Sequence, residues 1–427
     1  MEFPRLLRVR QHFPDRRLVD IPDAVRRELE SVRLAEKVPP GGSVAIGVGS
    51  RGIANIAVIV RAAVNYFRDA GRRPFLFPAM GSHGAATAEG QAAVLAHYGI
   101  TAESMGCPVR SQLEVVPTGR SREGIDTYVD KLAYESGGIL LIGRVKWHTD
   151  FVGKLESGLF KMMAIGLGKF AGARRYHTHA YKIGIEPMIL SVGRQILSTG
   201  KVLGGLAILE DANHNTAKVE AVPVERMEER EAELLALAKS WKGNIPVPAA
   251  DILILDEIGK NFSGAGMDTK VVNRSGLAEY NPWPDTPRVE RIFLRDLSPL
   301  SYGNGIGIGM ADVVTDRLLA KIDWQATAVN CLAASILPPL RIPLHFPSDR
   351  QCLETIAPTV GKLDLRDVTY CWIQNSMRLD WALLSENLQP EIDADPALEI
   401  VSDPIPVEFD EAGNLAESVL DYELATH

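Results

Sequence analysis

The chain has 427 residues, 46% hydrophobic and 23% charged, with 54 acidic against 46 basic side chains and a net charge of -8. That composition excludes a disordered or fibrous protein and supplies enough chain for two or three separate cores. The negative balance also repels a phosphate backbone, so no nucleic acid is expected as a partner.

The opening MEFPRLLRVRQHFPDRRLVD scatters charges and lacks the unbroken apolar region of a secretory signal, which points to a cytoplasmic protein. SVAIGVG (43–49) reads as a strand, and the amphipathic stretch after it as a helix. PFLFPAMGSHG followed by TAEGQAAVLAHYG repeats the pattern, and GGILLIGRV (137–145) and VLGGLAILED (202–211) read as further buried strands. Such alternation predicts an α/β fold with a largely parallel sheet. A charged helix over 223–243 then runs into NIPVPAA, where two prolines interrupt regular structure, giving expected domains at 1–248 and 249–427.

The second domain repeats the theme with DILILDE (251–257), RIFLRDL (291–297), a helix after Gly309 and the strand DVTYCWIQ (367–374). YGNGIGIGMAD (302–312) lacks dinucleotide-loop spacing and reads as a structural strand-to-helix turn. The apolar run 326–340 is shorter than a bilayer span and ends on a proline pair, so a buried helix and no membrane partner are expected. The acidic tail after Asp403 is free to return to either domain. Cys107, Cys331, Cys352 and Cys371 form no paired motif and are expected to be reduced, mostly buried thiols.

Ligands of open α/β sheets bind beyond the carboxyl ends of the strands, and three loops of the first domain lie there. GSRGIAN offers Ser50 and Arg51, suited to a phosphate or carboxylate or simply to a surface ion pair. MGSHGAATAEG presents His83 between glycines before a helix capped by Thr87, and RVKWHTDFVGK carries His148; each is either a solvated loop residue or an acid-base group. FKMMAIGLGKFAGARRYHTH then holds Lys161 and, sixteen residues on, His177, with His179 exposed. The same stretch is also consistent with a helix packing its Met, Ile and Leu side chains while Lys161, Arg174 and Arg175 are solvated. In the second domain Lys260, with Asn261, suits a substrate carboxylate or a solvated loop cap, and Arg274 is a weaker candidate for the same carboxylate.

In this order the residues resemble the nickel-dependent lactate racemases: an arginine-bearing first loop (Ser50, Arg51), a Gly-Ser-His segment (His83), a second histidine (His148), Ser-Gly-x-x-Lys as SGLFK (Lys161), and a further histidine (His177). The resemblance covers most of the first domain and extends more weakly into DEIGKNFSGAGMDTKVVNR. It implies two α/β domains with an active-site cleft between them, the first binding a nickel-pincer nucleotide. In that family pattern Lys161 tethers the nucleotide covalently, His177 is the nickel ligand, and Ser50 and Arg51 hold the phosphate. His83 and His148 act as acid and base on a small-molecule 2-hydroxy acid while the cofactor takes a hydride from C2 and returns it, which makes the activity that of a racemase or 2-epimerase. The chain departs from the pattern at Leu159 and Phe160, in the spacing from His148 to Ser157 and around Gly49, which bears on the acid accepted rather than on the cofactor. Lys154 is an alternative tether at a spacing that fits less well. The competing reading is a lyase or dehydratase of a hydroxylated acid or sugar acid, working by histidine acid-base chemistry without nickel; a third is a non-catalytic anion or cofactor binder. A homo-oligomer is compatible with all three.

Overall fold

The structure, a computed structural model, describes residues 2–49, 52–81, 83–149, 151–334, 336–416 and 419. The chain divides into two compact units, Pro14–Lys242, and Met1–Phe13 together with Gly243–His427. Each contains helices and a sheet that is mainly parallel, the α/β class expected.

The strands of the first half of the chain are β1 (Leu6–Gln11), β2 (Ser43–Val48), β3 (Arg73–Pro78), β4 (Val115–Arg120), β5 (Asp126–Asp130), β6 (Ile139–Arg144), β7 (Val202–Glu210) and β8 (Thr216–Pro223). In Pro14–Lys242 a five-stranded sheet runs β3-β2-β6-β7-β8, parallel through β7, with β8 antiparallel at its edge. β4 and β5 form a separate antiparallel ribbon. Val44, Ile46 and Val48 of β2 share one core with Leu29 of the helix Ile21–Ser31 and with Val60 and Phe67 of the helix Ile56–Asp69. Ala45, Leu141 and Leu209 face the opposite core with Phe160, Met163, Val192 and Leu234. Both faces are covered, which is why these strands read as unbroken apolar runs. Full burial of one side chain such as Phe160 contributes roughly 1.5–3 kcal/mol.

The second unit adds β9 (Ala249–Ile258), β10 (Arg288–Leu297), β11 (Val313–Thr315), β12 (Leu344–Phe346), β13 (Tyr370–Ile373), β14 (Trp381–Ser385) and β15 (Leu398–Ile400). Its sheet runs β12-β11-β10-β9-β13-β14-β1-β15, parallel from β12 to β13 and antiparallel thereafter. This division differs from the expected 1–248 and 249–427. β1 pairs with β14 from Leu6↔Ser385 to Arg10↔Trp381 and drops Leu7 and Val9 into the second unit's core, so the first thirteen residues belong there. The described part of the tail stays in the same unit: Ile405 bridges Leu6, and Leu415 and Val419 lie in its core.

Two further expectations are corrected. The apolar run 326–340 overlaps a helix, Trp324–Ala334, but that helix is only partly buried: Thr327 and Cys331 are inside while Val329 and Leu332, and Leu337 beyond it, are exposed. The glycine-rich 302–312 stretch leads through a short 3-10 turn at Ile308–Met310 into β11, so it joins strand to strand and not strand to helix. All four cysteines are free and buried, as expected. Among the described residues no helix is long and apolar enough to cross a membrane.

Candidate functional site

In the sheet of Pro14–Lys242, β2 lies between β3 and β6, so the loops after these three strands emerge side by side at one end. β3 and β6 stand two inter-strand spacings apart, about 10 Å. His83 sits on the loop after β3 and His148 on the loop after β6, both half-buried. Ser50 and Arg51, expected on the loop after β2, lie outside the described residues. Gly49, immediately before them, packs so closely on the Lys161 segment that an added Cβ would meet Met162 Cε at 3.2 Å.

The His83 loop is built on buried polar groups. Gln91, fully buried, donates from Nε2 to Gly81 O (3.1 Å) and Met80 O (3.3 Å), and accepts at Oε1 from Lys169 Nζ (2.8 Å). Lys169 also donates to Pro78 O (2.8 Å) and lies 3.6 Å from Asp130. Burial pushes the Lys169 amine down and the Asp130 carboxyl up, both toward their neutral forms. Gly84, at φ +61°, turns the chain after His83, and Thr87 accepts from Gly90 N (3.0 Å), the helix cap that the sequence predicts. Gly81 lies against the Lys161–His177 segment, where an added Cβ would meet Ile165 Cγ2 at 3.0 Å and Ala173 Cβ at 3.1 Å.

The His148 loop closes on itself where Lys146 and Ser157 exchange backbone hydrogen bonds of 2.9 and 3.1 Å. Inside it the fully buried Glu156 carboxylate accepts from His148 N (2.6 Å) and Gly153 N (3.2 Å) and pairs with Lys239. The His148 ring rests against Phe151, with centroids 4.6 Å apart. Lys154, the alternative tether, is exposed, its backbone N–H donating to Glu186 (2.7 Å).

Ser157 ends that loop and begins SGLFK. Lys161 Nζ approaches Ser157 Oγ at 3.5 Å, so the amine lies beside the loop that carries His148. In a straight α-helix, residues sixteen apart would be about 24 Å apart along the axis and on opposite faces. Here they are close enough for the Lys161 ammonium to act on the His177 ring. The intervening chain explains it: the turn Leu159–Lys161 widens into a π-helical segment, Met162–Leu167, and then bends at Lys169, whose φ of +52° starts the helix Lys169–Ile183. A non-glycine residue in that conformation costs on the order of 1 kcal/mol or more, offset by the buried hydrogen bonds of its amine. His177 is exposed and His179, expected to be exposed, is half-buried; desolvation by the protein around His177 and then Lys161 lower its pKa, which favours a neutral imidazole lone pair at pH 7.

A neutral imidazole within electrostatic range of a primary amine is a donor set that fits a tethered cofactor whose metal takes one nitrogen from the protein. Among the described residues no group of three or more His, Cys, Asp or Glu side chains is placed to hold a metal ion. An open recess of about 560 Å³ beside Phe170, Arg174, Thr178 and His179 lies along the helix of His177 but is lined by none of the candidate residues.

In the other unit, Lys260 follows β9, its N–H donating to Ser301 Oγ (3.1 Å) and its amine to Asn330. The carboxylate role expected for Arg274 does not survive. Its guanidinium is 1% exposed, donates to the carbonyls of Val289 and Glu290 (both 2.8 Å), pairs with Asp312 and stacks on Tyr280, so it holds the core together.

Sequence reasoning missed Gln91, Lys169, Glu156 and Glu231, the buried polar groups behind the loops. Lys169 could have been noticed as a lone cation between apolar residues in IGLGKFAG; the glutamates carry no comparable signal.

No protein-family model matches the sequence, and no curated protein matches it. Matches among solved structures include the lactate racemase apoprotein from Thermoanaerobacterium thermosaccharolyticum, with TM-score 0.49 and 14% identity over 88% of this chain and 99% of that one. They also include the crystal structure of a Thermotoga maritima protein, a structural genomics target, with TM-score 0.51 and 11% identity over 86% of this chain and 99% of that one. At such identity the second likeness is one of fold, a mixed α/β architecture running through nearly the whole of both chains.

Proposed function

We propose that the chain is a racemase or 2-epimerase of a 2-hydroxy acid that carries a tethered nickel-pincer nucleotide. The feature that supports this most is the wide helical segment and left-handed corner after SGLFK, with the His177 imidazole held low by desolvation first and then by the Lys161 charge. In this reading Lys161 holds the nucleotide covalently, His177 gives nickel its protein nitrogen, and Ser50 and Arg51 bind the phosphate. When bound, the cofactor supplies a reversible hydride acceptor. His83 and His148 work on the substrate hydroxyl: one takes the proton from oxygen and the other returns one, each from a loop flanking the β2 loop. Phe151 against the His148 ring narrows its orientations and keeps one of its faces dry. Lys260 is the carboxylate-binding candidate of the second unit. A cytoplasmic location, and a homo-oligomeric state if there is one, belong to the same reading.

The test is intact mass and metal content after co-expression with the cofactor-making enzymes, followed by chiral chromatography of a panel of 2-hydroxy acids. The reading expects a mass increment on the Lys161 peptide, bound nickel and racemisation with a C2 deuterium label retained. Protein of unmodified mass without nickel overturns it, and a label lost to water favours the lyase or dehydratase.

A further inference from the structure

Two side chains on one helix, one buried and one half-buried, reach the two parts of the candidate site that lie furthest apart in role. The helix Met227–Ser240 carries Glu231, 1% exposed, and Lys239. Eight residues of helix separate them, about 12 Å along the axis and about 80° around it, so they share one side. The Glu231 carboxyl accepts from Phe160 N at 2.9 Å and also from Leu159 N, the backbone amides just before Lys161. Lys239 pairs with Glu156, whose other oxygen accepts from His148 N at 2.6 Å.

We propose that this helix is the positioning strut of the site: Glu231 fixes the turn ending at Lys161, and Lys239, acting through Glu156, fixes the loop bearing His148. The inference rests on the functional reading above for what those two residues do, and on geometry for how they are held. A carboxyl group buried without a cation beside it is costly, and burial pushes Glu231 up to about 8. An apolar residue there would pack against Leu234 and Leu235 without that cost but would orphan two amides. The glycine of Ser-Gly-x-x-Lys has its reason in the same contact. A Cβ on Gly158 would lie 2.3 Å from Glu231 Oε1, so any other residue there would displace the carboxyl from its present place against the amides. Glu156 likewise spends both oxygens on loop amides and on Lys239, with nothing left for solvent. Movement of this one helix therefore shifts the tether and a proton-transfer group together.

The experiment uses full-length protein without cofactor, so it reads positioning independently of turnover. Glu231→Leu, Glu231→Gln, Lys239→Met and Lys239→Arg are compared for acetylation of Lys161 by acetic anhydride, normalised to the exposed Lys182, and for the NMR titration of the His148 ring. Glu231→Leu is expected to change the normalised Lys161 rate about threefold, the change in free amine that half a pKa unit gives. Glu231→Gln, which keeps one acceptor, returns it toward wild type. Lys239→Met moves the His148 midpoint and Lys239→Arg restores it. Folded variants with an unchanged Lys161 rate overturn the Glu231 half, and an unchanged His148 midpoint overturns the Lys239 half. If Glu231→Leu does not fold, Glu231→Gln decides alone by the same rate. An unmodified mass after co-expression, with these local effects intact, would sink the functional reading and leave the strut standing.

Discussion

The two units bury charge in different ways. In the unit containing Gly243–His427, Arg295 lies between Asp256 and Asp349 and stacks on Trp372, while Arg317 completes Asp349: the ions satisfy one another. In Pro14–Lys242 the buried Glu231 carboxyl turns to backbone amides with no cation beside it, and Glu156 divides its oxygens between loop amides and Lys239. Ions that satisfy each other specify a core. Carboxyls that satisfy loop amides specify where those loops go, and so fix His148 and Lys161. The contrast separates stability from function in a way that substitutions can probe.

The largest effect is expected from Lys161→Arg, which keeps the charge but removes the primary amine. Intact mass after co-expression should stay unmodified and racemisation should fall to background, with the urea midpoint near wild type. On the other side, Arg295→Met leaves Asp256 and Asp349 buried without their shared cation and should cost about 3–5 kcal/mol in urea unfolding. That loss should leave the His177 titration unmoved. Lys169→Met tests the mixed case. It releases Gln91 and the Pro78 carbonyl and should cost about 1–3 kcal/mol, less than Arg295 because burial already drives Asp130 toward its neutral form.

Glu231 sharpens the comparison through pH. Its pKa rises from 4.5 to about 8 on folding, so the folded chain holds a proton that the unfolded chain has released. That contribution is complete below the unfolded value and is lost as pH climbs through about 8, with a slope of at most about 1.4 kcal/mol per unit. Glu231→Gln should flatten this part of the stability curve, read as melting temperature against pH. The smallest effect is local: desolvation and then the Lys161 charge hold the His177 imidazole below the ordinary histidine range, so Lys161→Gln, which removes that charge, should raise its NMR midpoint. A midpoint that stays put would separate the two residues.

Strand and loop order around the site was legible because it is local: apolar runs of strand length, glycine punctuation and the Thr87 cap announce themselves within a dozen residues. Burial was not. Glu231 sits in MEEREAELLALAK beside Glu228, Glu229 and Glu233, and nothing in that string distinguishes the one glutamate that faces inward. Arg274 failed for the same reason, since a glycine-rich neighbourhood suggested an accessible loop while Asp312 and Tyr280 draw it into the core. The first thirteen residues were not separable from the expected domain 1–248 because the strand that β1 pairs with, β14, is at the far end of the chain. A joint role for Lys161 and His177 followed in the sequence from resemblance alone; the wide helical segment and the left-handed corner at a buried lysine that lie between them have no sequence signature of their own.

Met162–Leu167 has a consequence for anyone wishing to move this segment into another scaffold. Deleting one residue there would restore ordinary winding and swing everything downstream by about 100° around the helix axis. Counting sixteen residues between amine and imidazole is therefore not enough. A transplant must also carry the overwide coil and the pocket that swallows Lys169, or the two nitrogens will face different directions.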